Sequence, residues 1–381
     1  MKALLRGMSP ATGYAPIDPG IYTGSSSGAV NAAIMLSQSD TSAVTAVDAL
    51  ETIWVRDIAD DGPGCGNGAY RIRGNLLRYV NPACVAADPV GLLADLAGDV
   101  RFYARDWLRR GVEFVQSDAR LHRRVLELVD LTTLFSAEPF RRRVPELVKL
   151  DVIRRSRKLL RIMATNWRTG VLRVFRNEDL TDDIGFDAIV AATAIPGFFS
   201  PLDVAGEPHM DGALMMNTPL MPAIEAGADT IFIVYLDPDV RSIPLRRLRN
   251  TLDTMDRARN VNFAAKVTED IETARWINDG LEVIERVARG DEPSDFDARA
   301  FVRTASRIHD RIRKRAPYRK LTVHRFGPRD DFGGILGLLN FDREQITRLI
   351  EFGYSDTIRH DCAANHCLLP HERPLPPGGG T

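Results

Sequence analysis

Long apolar runs are missing from this chain. Nowhere do about 18 hydrophobic residues follow one another, and the N-terminus lacks the charged-then-apolar layout of a secretory leader, so neither a spanning helix nor export is expected. Cysteine is scarce as well. Four residues, Cys65, Cys84, Cys362 and Cys367, are too few and too scattered for a disulfide scaffold, which fits a reducing compartment and a cytoplasmic address. No charge of one sign dominates: 50 Lys+Arg stand against 51 Asp+Glu, so no general attraction to nucleic acid is implied. Clusters such as Arg141-Arg142-Arg143 read as solvated helix faces, and no internal repeat is evident. What the chain does have is 381 residues, 44% of them hydrophobic, enough for the core of one large α/β domain or two smaller ones.

The most informative stretch is Gly24-Ser25-Ser26-Ser27-Gly28. A short β-rich run, Ile21 to Thr23, meets this G-x-S-x-G pentapeptide, which opens into the alanine-rich helical segment Ala29-Val30-Asn31-Ala32-Ala33. Strand, tight turn and helix in that order are the context of a nucleophile elbow, with Ser26 at its apex. Gly24 and Gly28 are expected to leave space where a Cβ would crowd the turn. The backbone N–H of Ser27, at the helix start, is the candidate oxyanion donor. A bare linker has a similar composition, but linkers are not normally set between a strand and a helix.

Around this centre, Met1–Met8 reads as the last turns of a helix ended by Gly7, and Asp40 or Thr41 is placed to cap a helix carrying Val44, Val47, Leu50, Trp54 and Ile58 on one face. The alternating glycines 62–68 lack the Gly-Lys-Ser/Thr ending of a phosphate loop and read as surface loop. Residues 60–150 read as a helical insertion with breaks at Gly111, Pro139 and Pro145. Two strands follow at 159–167 and 171–175, then a helix over 184–194 stopped by Pro196, a helix near 219–226, and the apolar strand Thr230–Leu236, which should be covered on both faces. Residues 237–370 form a mostly helical C-terminal extension with one strand at 319–326 and a last helix over 342–360; residues 371–381 form a disordered tail. Phe332–Leu339 is apolar enough to touch lipid, though Gly-broken core packing is the better account of it.

A serine hydroxyl needs a base. An Asp-then-His triad would draw on His309 or His324, but neither lies in a glycine-lined loop, and only 25 residues precede Ser26, too few for the strands that precede an α/β-hydrolase elbow. The stronger candidate is Asp211 in Met210-Asp211-Gly212-Ala213, where Gly212 lets backbone approach closely; dehydration would have to raise the weak basicity of an ordinary Asp. His209, two residues earlier, would share its strand face. His360-Asp361-Cys362 and His366-Cys367 carry metal-capable groups, but their spacing matches no standard zinc pattern, and no metal is expected.

Gly24–Ala33 resembles the nucleophile segment of the patatin-like phospholipases. Ala191–Pro201 resembles that family's block before its catalytic Asp, and Asp211-Gly212-Ala213 with Asn217-Thr218-Pro219 resembles its Asp-Gly-Gly/Ala motif and the Asn-x-Pro beyond it. The resemblance spans residues 20–236. It implies a three-layer α/β/α core over residues 1–236, a Ser26–Asp211 dyad supported by Gly212 and Asn217, no cofactor, and fatty acyl esters of phospholipids, lysophospholipids or neutral glycerolipids as substrates, met at a membrane surface. One departure stands out. The family carries a glycine-rich oxyanion loop upstream of the elbow, which is not present before Ser26, so either a shortened start or a weakly active or inactive lipid-binding relative is to be expected.

Overall fold

The computed structural model describes residues 1–59, 69–73, 75–116, 135–236, 251–289, 319–328 and 340–370. The alternating glycines 62–68, His309, Phe332–Leu339 and the tail 371–381 lie outside them.

Helix α1 (Lys2–Leu5) ends ahead of Gly7, which turns the chain at φ 66°. Strand β1 (Ile21–Gly24) then runs into α2 (Ser27–Ser37) and α3 (Ala43–Thr52). Ser42, rather than Asp40 or Thr41, caps α3: its hydroxyl accepts the Thr45 N–H at 3.1 Å. The helix continues as a π-helical turn, Ile53–Ile58, and that wider winding rotates the apolar face. Ala46, Val47, Leu50 and Ile58 are buried, whereas Val44 and Trp54 stay half-buried.

Between residues 69 and 150 the described segments are mainly helical. Strand β2 (Arg71–Ile72) pairs antiparallel with β3 (Phe135–Ser136), and α4 (Leu76–Val80), α5 (Pro82–Ala87) and α6 (Pro89–Gln116) lie between them. Two of the three expected breaks fail. Gly111 lies within α6, and Pro145 lies within α7 (Glu138–Leu147), where its missing N–H frees only the carbonyl of exposed Arg141. Buried Arg71 ties β2 to α6 through a two-pronged bond to Asp99, 2.7 Å on each prong. Cys84 is disulfide-bonded, which departs from the reducing-compartment reading of the cysteines.

Helix α8 (Leu150–Arg155) leads into the hairpin of β4 (Leu159–Asn166) and β5 (Leu172–Arg176), turned at Gly170 with φ 68°. Then come α9 (Gly185–Ala191), the hairpin of β6 (Leu202–Val204) and β7 (Glu207–Asp211), and α10 (Leu220–Glu225). Strand β8 (Thr230–Val234), α11 (Thr251–Arg289), β9 (Thr322–Phe326) and α12 (Arg343–Ile358) complete the described chain.

The main sheet is mixed, with order β1-β4-β7-β6 and β5 on the opposite edge of β4. Its core joins α2, α9 and the sheet through Ile34, Leu36, Leu160, Ile162, Phe175 and Ile189, all fully buried; each such side chain contributes roughly 1.5–3 kcal/mol. A central mixed sheet with surrounding helices is the three-layer α/β/α arrangement that the sequence suggested. Strand β8 does not join it. It pairs in parallel with β9 in a separate two-stranded sheet, and of its residues only Ile233 is buried, because α10 and α11 cover one face through Leu220, Ile224, Val267 and Ile271. The two-sided burial expected from its apolarity is therefore not found. Among the described residues no helix is long and apolar enough to cross a membrane.

Candidate functional site

Ser26 sits between the last residue of β1 and the first of α2, at φ 52° and ψ −131°. A non-glycine residue is held there only against a cost of about 1–3 kcal/mol, and such residues gather at working sites. The backbone holds it in place: the Ser26 N–H donates to Ala192 O at 3.1 Å, and the neighbouring Ser25 hydroxyl donates to Met216 O at 2.5 Å. Gly24 is required by contact, since a Cβ there would lie 2.1 Å from Gly28 O. Gly28 is not: a Cβ on it would meet nothing within 4 Å, so the space expected at both glycines is needed at only one. Ser27 is the first residue of α2, and the first amides of a helix have no partner within it.

Asp211 reaches the same place by register. On one edge of β4, β1 runs parallel and ends with Gly24 opposite Ile162; further along that edge, β7 runs antiparallel and ends with Asp211 opposite Ala164. Two strands thus arrive head to head along β4 and leave the chain at Ser26 and at Asp211. The turn after α9 holds both: Ala192 O receives the Ser26 N–H, and Ala194 O receives the Asp211 N–H at 2.9 Å. Asp211 therefore ends a strand rather than riding on a loop. Gly212 permits this, because a Cβ there would lie 2.3 Å from Met163 O on β4.

The Asp211 carboxyl is buried, and desolvation raises its pKa from 3.8 to about 6. The Ala213 N–H, which donates to Oδ1 at 2.8 Å, opposes that rise, as do the nearby Ser26 side chain and the positive charge of Arg259. A buried carboxylate whose pKa is raised toward neutrality has the basicity that a general base requires.

Both groups line a cavity of about 1550 Å³. Its walls include Trp54, Phe140, Phe198, Phe199 and Phe341, and Asn217 lines it too. Among the described residues no histidine lines it. His324 lies on β9 against Cys362 instead, and His209 is buried with its Nδ1–H donating to Glu207 O at 2.9 Å, a structural role. Sequence reasoning put α11 within the mostly helical C-terminal extension packed on the core and gave it no part in the site. Arg259 and Phe263 line the cavity from it, and Lys266 donates to Leu214 O and Met215 O at 3.0 and 2.8 Å, just past Asp211. Nothing in residues 251–289 marks Arg259 as facing a carboxylate, for that contact depends on how the helix crosses the site.

The family model described as Patatin-like phospholipase matches residues 2–224, more than half of the chain. The protein belongs to the patatin-like phospholipase family. The match holds the elbow, the turn after α9 and Asp211, and stops just before β8. No curated protein matches the chain closely enough to count as a relative. As a patatin-like phospholipase the chain falls among the lipid acyl hydrolases, whose substrates are lipid esters.

Proposed function

We propose that this patatin-like protein cleaves fatty acyl esters with a Ser26–Asp211 dyad. The observation that supports the reading is the buried Asp211 carboxylate, raised to about 6 and lining, together with Ser26, one aromatic-walled cavity. Ser26 Oγ attacks the ester carbonyl as its proton passes to Asp211. The oxyanion forms beside the Ser27 N–H at the positive end of α2. Collapse breaks the ester C–O bond, and the departing alcohol takes the proton from Asp211. Water then gives a proton to Asp211 and attacks the acyl-serine; the fatty acid leaves and Ser26 regains its hydrogen.

The cavity exceeds the roughly 300–1,000 Å³ of ordinary small-molecule pockets, which suits long acyl chains of phospholipids, lysophospholipids or neutral glycerolipids. Such substrates bring the protein to a membrane surface, and the dyad uses neither metal nor cofactor.

The test is a fluorophosphonate label together with hydrolysis of p-nitrophenyl acyl esters and lysophospholipid. Wild type should label and turn over, and Ser26→Ala should do neither. Ester hydrolysis that survives Ser26→Ala would overturn the proposal. A folded wild type that binds lysophospholipid without labelling or turnover would favour a silent lipid-binding relative. For that alternative the elbow offers the Ser27 N–H as an oxyanion donor, and losing one such donor typically costs about 10²–10³ in rate.

A further inference from the structure

Away from the Ser26 cavity, four metal-capable side chains that the proposed dyad chemistry does not use converge on one point. His324 comes from β9, and His360, Cys362 and Cys367 come from the loop that follows α12. Their donor atoms all lie within 4.8 Å of one another, three of the residues are buried, and none of the four lines the cavity. The Cys362 Sγ lies 3.5 Å from His324 Nδ1 and 3.5 Å from His360 Nε2, and the Cys367 Sγ lies 3.3 Å from the same His360 Nε2.

Hydrogen bonding among the four does not explain this arrangement. One ring nitrogen has a single proton or a single lone pair, so His360 Nε2 can serve one sulfur, yet two converge on it. A cation at the centre accounts for all the contacts together. With Zn–N near 2.0–2.1 Å and Zn–S near 2.3 Å, the N···S edge of a tetrahedron is roughly 3.5 Å, the spacing found.

We propose that His324, His360, Cys362 and Cys367 bind one zinc ion in a closed Cys₂His₂ site. Two thiolates and two imidazoles in tetrahedral array suit zinc by ligand softness and geometry. Four protein donors leave no open position, so the ion is structural. The surroundings are those of a ligand set. The Arg325 N–H donates to Cys367 Sγ at 3.4 Å, Phe232 stacks on the His324 ring at 5.2 Å, and Phe326 packs on His360 at 4.3 Å. Asn365 Nδ2 donates to Asp361 O at 2.7 Å and lies 3.4 Å from His360 Nδ1, which ties the loop around the ring. His366 is outside the cluster.

The ion would pin the chain after α12 to β9, beside the Val323–Leu368 bridge. It would thereby brace the small parallel sheet from which Tyr235 and Phe326 line the cavity. The sequence concealed the set because its fourth member, His324, lies a whole helix away. The expectation that no standard zinc spacing is present does not hold for Cys362 and Cys367, whose C-x₄-C interval occurs among structural zinc ligands.

Elemental analysis of the purified full chain, expressed with zinc and dialysed against metal-free buffer, tests the proposal. One zinc per chain is expected, falling below about a tenth in Cys362→Ser and in Cys367→Ser and unchanged in His366→Ala. Should the cysteine variants fail to fold, wild type stripped by chelation and titrated with Co²⁺ supplies the readout: thiolate-to-cobalt and tetrahedral d–d bands should saturate at one equivalent. Wild type without zinc that also gives no such bands, or Cys→Ser variants that keep a full equivalent, would overturn the site.

Discussion

Replacing Asp211 by Asn should make the protein more stable and nearly inactive at once. Burial holds the Asp211 carboxyl at a pKa of about 6, against 3.8 for an exposed one. In the folded chain the proton is therefore bound more tightly than in the unfolded chain, and the stability tied to it is fully present below the unfolded pKa. That stability is lost as pH rises through about 4 to 6, and the shift amounts to roughly 3 kcal/mol at neutral pH. Asn carries no charge to desolvate and keeps an oxygen for the Ala213 N–H, so the turn after β7 should survive. The assay is urea unfolding of both proteins across about pH 4 to 8. The variant should match wild type at the acid end and exceed it by up to about 3 kcal/mol at the neutral end. Asp270, which burial likewise raises to about 6, titrates in both proteins and cancels in the difference. Activity should fall by about 10²–10⁴, the usual worth of a positioned base. A stability difference that does not change with pH, or a wild type more stable than the variant at neutral pH, would refute the desolvation argument.

Activity of wild type should fall as pH drops through about 6, because only ionised Asp211 accepts the Ser26 proton. Arg259→Met removes a cation that holds this pKa down, so the acid limb of kcat/KM against pH should move upward; an unmoved or lowered limb would show that Arg259 does not act on Asp211. Ser26→Gly should unfold later than Ser26→Ala by about 1 kcal/mol, since glycine relaxes at positive φ while alanine keeps the strain; equal stabilities would mean the elbow stores none. Gly212→Ala should destabilise by about 1–3 kcal/mol or more, because its Cβ would press on Met163 O, whereas Gly28→Ala should be tolerated; thermal melts of the pair read both outcomes.

How much of this was legible in the sequence depends on how far apart the partners lie. The elbow was legible because its strand, turn and helix are consecutive residues, so local chemistry sufficed. The end of α1 at Gly7 and the hairpin turn at Gly170 were legible for the same reason. The cap of α3 was misassigned by one or two residues among adjacent Asp40, Thr41 and Ser42, any of which can accept an amide. Strand β8 misled because a continuous apolar run signals burial without saying which sheet supplies it, and here one face is covered while the other stays partly open. Arg259 and the partnership of His324 with Cys362 had no local signal at all. Both arise from how α11 and the loop after α12 return to the strands.

Ser26 and Asp211 belonged to neither group, since each was a good local candidate while their meeting was not a local fact. Their meeting is a property of β4. Gly24 stands opposite Ile162 and Asp211 opposite Ala164, so two residues of β4, about 7 Å of strand, set the gap between the ends of β1 and β7. A one-residue slip of β7 along β4 would turn Asp211 to the other face of the sheet and break the Asp211 N–H bond to Ala194 O. Gly212 forbids such a slip only while Met163 O lies against it, and Thr165 adds a second lock, its hydroxyl donating to Asp211 O at 3.0 Å. The register is thus fixed by contacts at the site itself, not by the distant core. It follows that a substitution loosening the β4–β7 pairing, Thr165→Val among them, should reduce turnover well before it lowers the unfolding temperature, because the dyad needs its alignment to a fraction of an ångström while the sheet needs only its apolar face.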